Sequence, residues 1–357
     1  MSNLSRFING FFTSDRHQDG VLVFSNSNRF YLTEFNSSDG CVFLTSSKSY
    51  LLLDFRYYEM AKKQVSADVE ICLVTKGFYD EIESIVKKHS IQNVWFENFE
   101  MSVFEFERLQ NKIDRVKFSK LDNQLDKYRI VKKEKEIEFI VEAQKITDLA
   151  FSHILNFITR EKTEKQIALE LEFFIRSHGA DGIAFETICV SGKNSSLPHG
   201  VPKDITVAQN SFITMDFGAK YNGYCADMTR TVVLGRANDE MKKVYSTVLE
   251  AQSRALSKIR ADVSGVEVDS AARDYIYACG YEGCFGHSTG HSLGIDVHEH
   301  GAFSPGYKDT IPENAILSVE PGIYIEDKFG VRIEDIVVVE KNGYRNLTKS
   351  DKNLIEL

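Results

Sequence analysis

The sequence predicts an α/β domain followed by an α+β domain whose two halves repeat a helix–helix–strand pattern. Three observations carry this expectation. Strand-like and helix-like segments alternate over roughly the first 118 residues and then give way to long helices. All five prolines lie at position 198 or later, so composition changes along the chain. Two stretches of the second part echo each other at similar length. The 357 residues exceed one ordinary domain, and 43% apolar with 27% charged residues suits a folded globular core.

Residues 20–35 and 40–54 concentrate β-formers and read as strands, as do 69–74 and 92–96. Between them, 78–89 has helical spacing, with Ile82, Ile85 and Val86 on one face, and 101–112 reads as another helix. The charged run 122–136 leads into a long helix over 133–158. The boundary is placed there, giving domains 1–125 and 126–357. In the second domain a helix over 163–178 precedes strands and Pro198-His199-Gly200. A helix over 264–279 precedes Gly286-His287-Ser288. Each follows another helix, 133–158 and 239–260, which suggests a pseudo-two-fold duplication.

Charge and composition exclude several classes. The net charge of -9 argues against a nucleic-acid partner. Residues 1–125 hold 15 basic and 17 acidic residues, leaving 28 and 35 for the rest, so the acidic excess lies in the second domain. No apolar run approaches the ~20 residues that span a bilayer. The N-terminus lacks a basic start followed by a long apolar stretch. The six cysteines (Cys41, Cys72, Cys189, Cys225, Cys279, Cys284) are scattered without a CxxC pair, as expected of reduced thiols in a cytoplasmic protein.

The acidic excess becomes specific at residues 211–234. Asn222-Gly223 is a strong two-residue hairpin turn. It pairs 221 with 224, 218 with 227 and 216 with 229. Asp216 and Asp227 then lie on one sheet face as diagonal neighbours, with Gly218 leaving space between them. Alone, such a pair would be two exposed aspartates. Glu320 in 315–325 and Glu334 in 329–340 change the weighing, because each lies in an apolar strand where an unpaired carboxylate is costly. Arg332, Glu334 and Ile336 share a face, so a buried Arg–Glu pair would account for Glu334 but not for Glu320. Residues 287–299 add three histidines, interleaved with Gly290 and Gly294. A zincin motif fails, since Ala302 stands where its second histidine should be. Two Asp, two Glu and one His form a mostly oxygen donor set. It favours manganese, admits cobalt and suits zinc less. Five such donors fit a pair of divalent ions about 3.5–4 Å apart, which polarises a carbonyl and acidifies water.

These residues resemble the creatinase and aminopeptidase family with the pita-bread fold, and specifically its Xaa-Pro branch. The run from His287 to Glu299 resembles the signature of aminopeptidase P and prolidase throughout. Pro198-His199-Gly200, Met215-Asp216-Phe217-Gly218, Asp227-Met228-Thr229-Arg230-Thr231, Val319-Glu320-Pro321-Gly322 and Arg332-Ile333-Glu334-Asp335 follow the family's order. The N-terminal domain resembles it more loosely. By this resemblance Asp216 would chelate one metal, Asp227 and Glu334 would bridge both, and His291 and Glu320 would hold the other. His199, His298 and Glu320 would be the catalytic set. His199, His298 and Arg332 would line the substrate site, and His287 would stand behind the ligands. Arg332 could either pair with a metal-holding carboxylate or meet the substrate, and the resemblance favours the substrate. It further implies a homodimer. One departure falls at the substrate rim: five residues, His300 to Ser304, separate His-Glu from Pro305, where the family often has proline within two.

The implied activity is hydrolysis of the bond between an N-terminal residue and a following proline, as a Xaa-Pro aminopeptidase. A prolidase restricted to dipeptides would use the same ligands. Methionine aminopeptidase shares them too, but the N-terminal domain, Val-Glu-Pro-Gly-Ile-Tyr and Arg332 speak against it. A non-catalytic peptide-binding relative, or the metal-free creatinase, is disfavoured by the complete ligand set.

Overall fold

The computed structural model describes all 357 residues. They divide into two compact units, Met1–Tyr128 and Arg129–Leu357. The boundary expected after residue 125 falls just before the observed one.

The first unit is built on a six-stranded sheet. Its order is Val69–Leu73, Ser49–Leu53, Cys41–Thr45, Asp19–Val23, Asn93–Phe96, Lys117–Lys120. Asp19–Val23 pairs antiparallel with Cys41–Thr45 and parallel with Asn93–Phe96. The helix Phe78–Lys88 buries Ile82, Ile85 and Val86, as its spacing indicates, against Leu22, Phe43 and Val94. Residues 20–35 are not strand throughout. The strand ends at Val23 and Asn26–Thr33 is helical. Ser25 caps that helix by accepting from Asn28 N. The buried Glu97 carboxylate accepts from Phe24 N, Ser25 N and Asn28 Nδ2. Cap and tertiary contact together override the β-propensity of Phe30 and Tyr31.

The second unit contains two similar halves with separate cores. In the first, helices Glu134–Phe157 and Glu164–Ser177 pack Ile146, Ile154 and Leu171 on strands Ile188–Ser191, Ser211–Phe217 and Met228–Leu234. In the second, helices Asp239–Leu256 and Gly265–Ala278 pack Val248, Val268 and Ile276 on a five-stranded sheet. Its order is Glu299–Phe303, Gly290–Ser292, Ile316–Val319, Asp335–Glu340, Gly343–Asn346. Side-chain caps start three of these helices, at Thr163, Asn238 and Ser264.

Each half carries a long hairpin that crosses between sheets. Asn222 and Gly223 have φ of 46° and 80°, as a two-residue turn of this hand requires. Tyr221 pairs with Tyr224 and Asp216 with Thr229, the register read from the sequence. The ladder changes sheets at Gly218. A Cβ there would lie 1.9 Å from Ala226 O, so the opposing backbone fills the space expected to be open. In the other half Val319 pairs with Asp335 and Gly322 with Arg332. That register sets Glu320 opposite Glu334. Neither lies inside a strand, contrary to expectation. Both occupy the break between the five-stranded sheet and the pair Gly322–Ile325/Phe329–Arg332. The break lets the carboxylates leave the apolar layer that an unbroken strand would force them into. No helix is long and apolar enough to cross a membrane, and all six cysteines are free thiols.

Candidate active site

The two sheet-crossing hairpins and the strand Gly290–Ser292 deliver their polar side chains to one cavity of about 450 Å³. Its wall includes all nine residues singled out from the sequence: His199, Asp216, Asp227, His287, His291, His298, Glu320, Arg332 and Glu334. Phe185, Glu186, Ile188, Pro198, Ser288 and Val297 complete it. Asp227, Glu334 and Arg332 are buried, whereas His199 and His298 are exposed.

At the floor, Asp227, His291 and Glu334 each offer a donor atom, all within 4.8 Å of one another. His291 Nε2 lies 3.2 Å from Glu320 Oε1 and 3.6 Å from Asp227 Oδ2. Ser318 Oγ donates to Glu320 Oε1 at 3.0 Å and accepts from His291 N at 3.0 Å, fixing the two together. Arg332 Nη2 donates to Asp216 Oδ2 at 2.7 Å. Its Nε donates to Thr229 Oγ1 at 2.9 Å, and its Nη1 to Tyr324 Oη at 2.8 Å and Pro198 O at 3.2 Å. Pairing with the Asp216 carboxylate, one of the two roles open to Arg332, is thus the geometry found. Tyr324 also meets His287 Nε2 at 2.9 Å.

The electrostatics show a shortage of positive charge. Burial, then Glu334, Asp216 and Glu320, push the Asp227 carboxyl well above its ordinary range. Burial, then Glu320 and Asp216, do the same to Glu334. Glu320 escapes: burial would raise it, but the hydrogen bond and charge of His291 hold it at about 2. Burial is the largest single influence on His291 and opposes its protonation, yet the hydrogen bond and charge of Glu320, with Ser292 O and Asp216, together outweigh it and raise the imidazole. Burial lowers His298, with His291 adding to the effect, and burial likewise lowers His287.

A divalent pair fits these residues. Asp216 Oδ1, Asp227 Oδ1 and Glu334 Oε1 are buried without a hydrogen-bond partner. Buried carboxylate oxygens are normally satisfied. Three orphans aimed at one cavity, with a histidine beside them, are the donor set of a cation-binding centre rich in oxygen.

Tyr324, Thr229 and Ser318 were not singled out from the sequence. Tyr324 ends the Val-Glu-Pro-Gly-Ile-Tyr stretch and Thr229 sits two residues after Asp227, so position beside a motif was the available signal. Ser318, directly before Val319-Glu320, offered the same signal.

Fold and site together define a protein built around a carboxylate–histidine metal centre. The chain belongs to metallopeptidase family M24, whose model matches residues 138–341, and the creatinase/prolidase N-terminal domain matches residues 12–131. It is 40% identical over 339 residues to the uncharacterized peptidase YqhT of Bacillus subtilis, covering 95% of this chain and 96% of that one. The solved Xaa-Pro dipeptidase from Bacillus anthracis superposes with a TM-score of 0.95 at 38% identity, covering 99% of both chains. The X-Pro aminopeptidase from Thermotoga maritima gives 0.89 at 38% identity, over 95% of this chain and 97% of that one. The expected architecture, a creatinase-type N-terminal domain and a pita-bread catalytic domain, is the one found.

Proposed function

We propose that this protein hydrolyses the bond between an N-terminal residue and a following proline, as a Xaa-Pro aminopeptidase. The observation that carries the reading is the convergence of five metal-ligand side chains, three with orphaned buried oxygens, on one cavity. Asp216, Asp227, His291, Glu320 and Glu334 would hold two divalent ions, with manganese favoured over cobalt and zinc by the oxygen-rich set. Bound there, such a pair supplies Lewis acidity at the scissile carbonyl and acidifies water.

The remaining steps belong to the chain. Glu320 takes the proton released as water attacks and returns it to the departing proline nitrogen. His199 and His298, exposed at the rim, hydrogen-bond the carbonyl and the imide. A Xaa-Pro bond lacks the N–H that most peptidases grip, and a site working on the carbonyl does not need it. Arg332 holds Asp216 and borders the proline side, where a charge-assisted contact contributes about 1.5–3 kcal/mol. His287 holds Tyr324.

A second reading, a dipeptidase, is favoured by the name of the Bacillus anthracis structure. Rates on Xaa-Pro and Xaa-Pro-Xaa decide between the two. Chelation should abolish turnover, and manganese or cobalt should restore it. Full turnover in a metal-stripped sample would remove the metal reading. Homodimerisation, implied by the family, is tested by light scattering.

A further inference from the structure

Glu299 ends the run that begins at His287, yet it does not line the cavity. Its side chain is 4% exposed. Oε1 accepts from Ile295 N at 2.9 Å, from Asp296 N at 3.3 Å and from Arg129 Nη2. Oε2 accepts from Lys132 Nζ at 2.9 Å. Both cations are themselves buried, Lys132 at 1% and Arg129 at 8%.

The segment these contacts hold has neither helix nor strand between Ser292 and Glu299. It loops back so that the His298 ring centre stands 4.3 Å from that of His291. The Glu299 carboxylate fills the concave side of this loop. A Cβ on Gly294 would come within 2.8 Å of Oε2, which explains glycine there. Val297 and His298, at the far end, form part of the cavity wall. A buried carboxylate shared by two cations and two backbone N–H groups is a stiff anchor, because each partner lost leaves a buried charge or donor unsatisfied.

We infer that Glu299, clamped by Arg129 and Lys132, is a positioning residue that fixes the 293–298 loop and thereby sets His298 against the substrate. The inference deepens the peptidase reading and rests on it for its kinetic consequence only. Loop order is measured independently, by amide exchange.

The test uses Glu299→Gln and Lys132→Met in the full chain. Glu299→Gln turns a donor toward the cations. Lys132→Met leaves Arg129 and the backbone contacts in place and serves if the first variant fails to fold. Exchange at the Ile295 and Asp296 amides should quicken at least about tenfold in Glu299→Gln and about threefold in Lys132→Met, with exchange in the helices unchanged. On a Xaa-Pro peptide, kcat should fall about tenfold with KM moved less, and the same change made in His298→Ala should cost less than about twofold. Unchanged loop exchange in both variants, or equal losses with and without His298, would overturn the inference. A wild-type protein inert toward every Xaa-Pro peptide would defeat the peptidase reading instead, and exchange would still decide the clamp.

Discussion

Thr229 shows how much one small side chain carries. It is fully buried, and its hydroxyl accepts from Arg332 Nε while donating to Glu334 Oε2 at 2.7 Å. Thr229→Val keeps the shape and strands both partners, so stability should fall by about 1–3 kcal/mol. Metal content should fall with it, because Glu334 loses its orientation, while Thr229→Ser should retain both. Denaturant melts and elemental analysis check this. The proposed ligands give a sharper expectation. If Asp227 and Glu334 bridge two ions, as the family resemblance implies, Asp227→Asn and Glu334→Gln replace a bridge by an amide, which bridges poorly, and should lose metal occupancy as well as rate. His199→Ala and His298→Ala should keep the metal while turnover falls about 10²–10⁴-fold. A variant of either bridge that keeps two ions and near-normal turnover would refute the assignment.

The elements that matter most are the two hairpins that change sheets. Close backbone approach makes the crossing at Gly218 possible and seats the strand Gly290–Ser292 against the second hairpin. A Cβ on Gly218 would sit 1.9 Å from Ala226 O, and one on Gly290 would sit 1.9 Å from Ser318 O. In both cases the obstacle is opposing backbone, which cannot turn away as a side chain can. Overpacking of ordinary cores costs about 1–3 kcal/mol. Gly218→Ala and Gly290→Ala should reach or exceed the top of that range and displace the site side chains beside them, Asp216 with Asp227, and His291. Gly343, with nothing within 4 Å of an added Cβ, is the control, and Gly343→Ala should be near neutral. Thermal melts of the three variants, with metal content measured on each, test the comparison.

At the scale of the whole molecule, pH and metal should govern stability through different groups. Glu299 is held at about 2: burial would raise it, but Lys132 and Arg129 outweigh burial. A depressed carboxylate contributes stability that is complete above its unfolded value near 4.5 and is lost as pH falls toward 2. The shift corresponds to roughly 3 kcal/mol. Glu299→Gln should therefore flatten the acid limb of the stability curve between about pH 5 and 2, read from denaturation midpoints across that range. The metal centre acts by mass action. Ions that bind only the folded chain raise stability by about 2.7 kcal/mol at a hundredfold excess over Kd. Added manganese should raise Tm and a chelator lower it, whatever substrate the protein takes.

What the sequence determined is local. The Asn222-Gly223 turn and its pairing of Asp216 with Thr229 follow from φ preferences at two adjacent residues. The four helices of the second unit follow from apolar spacing and caps at Thr163, Asn238 and Ser264. Glu320 and Glu334 stood out as carboxylates in apolar segments, His287, His291 and His298 as clustered histidines, and Asp216 with Asp227 as partners across the hairpin, whereas His199 and the substrate role of Arg332 were legible only through resemblance to the family's motifs. Tertiary structure decided the rest. It made Asn26–Thr33 a helix, since a carboxylate 69 residues from Asn28 completes the turn before it. It moved Glu320 and Glu334 out of the strands, since the ladder must break where it passes between sheets. It filled the space at Gly218 with backbone rather than leaving it open. It also brought Ser318 to Glu320 and Thr229 to Arg332, and gave Glu299 its two buried cations. Those contacts join residues far apart in the chain, or depend on which way a broken strand turns. Periodicity carries no information about either, because both are set by how two separately packed halves close around one buried cluster of charge.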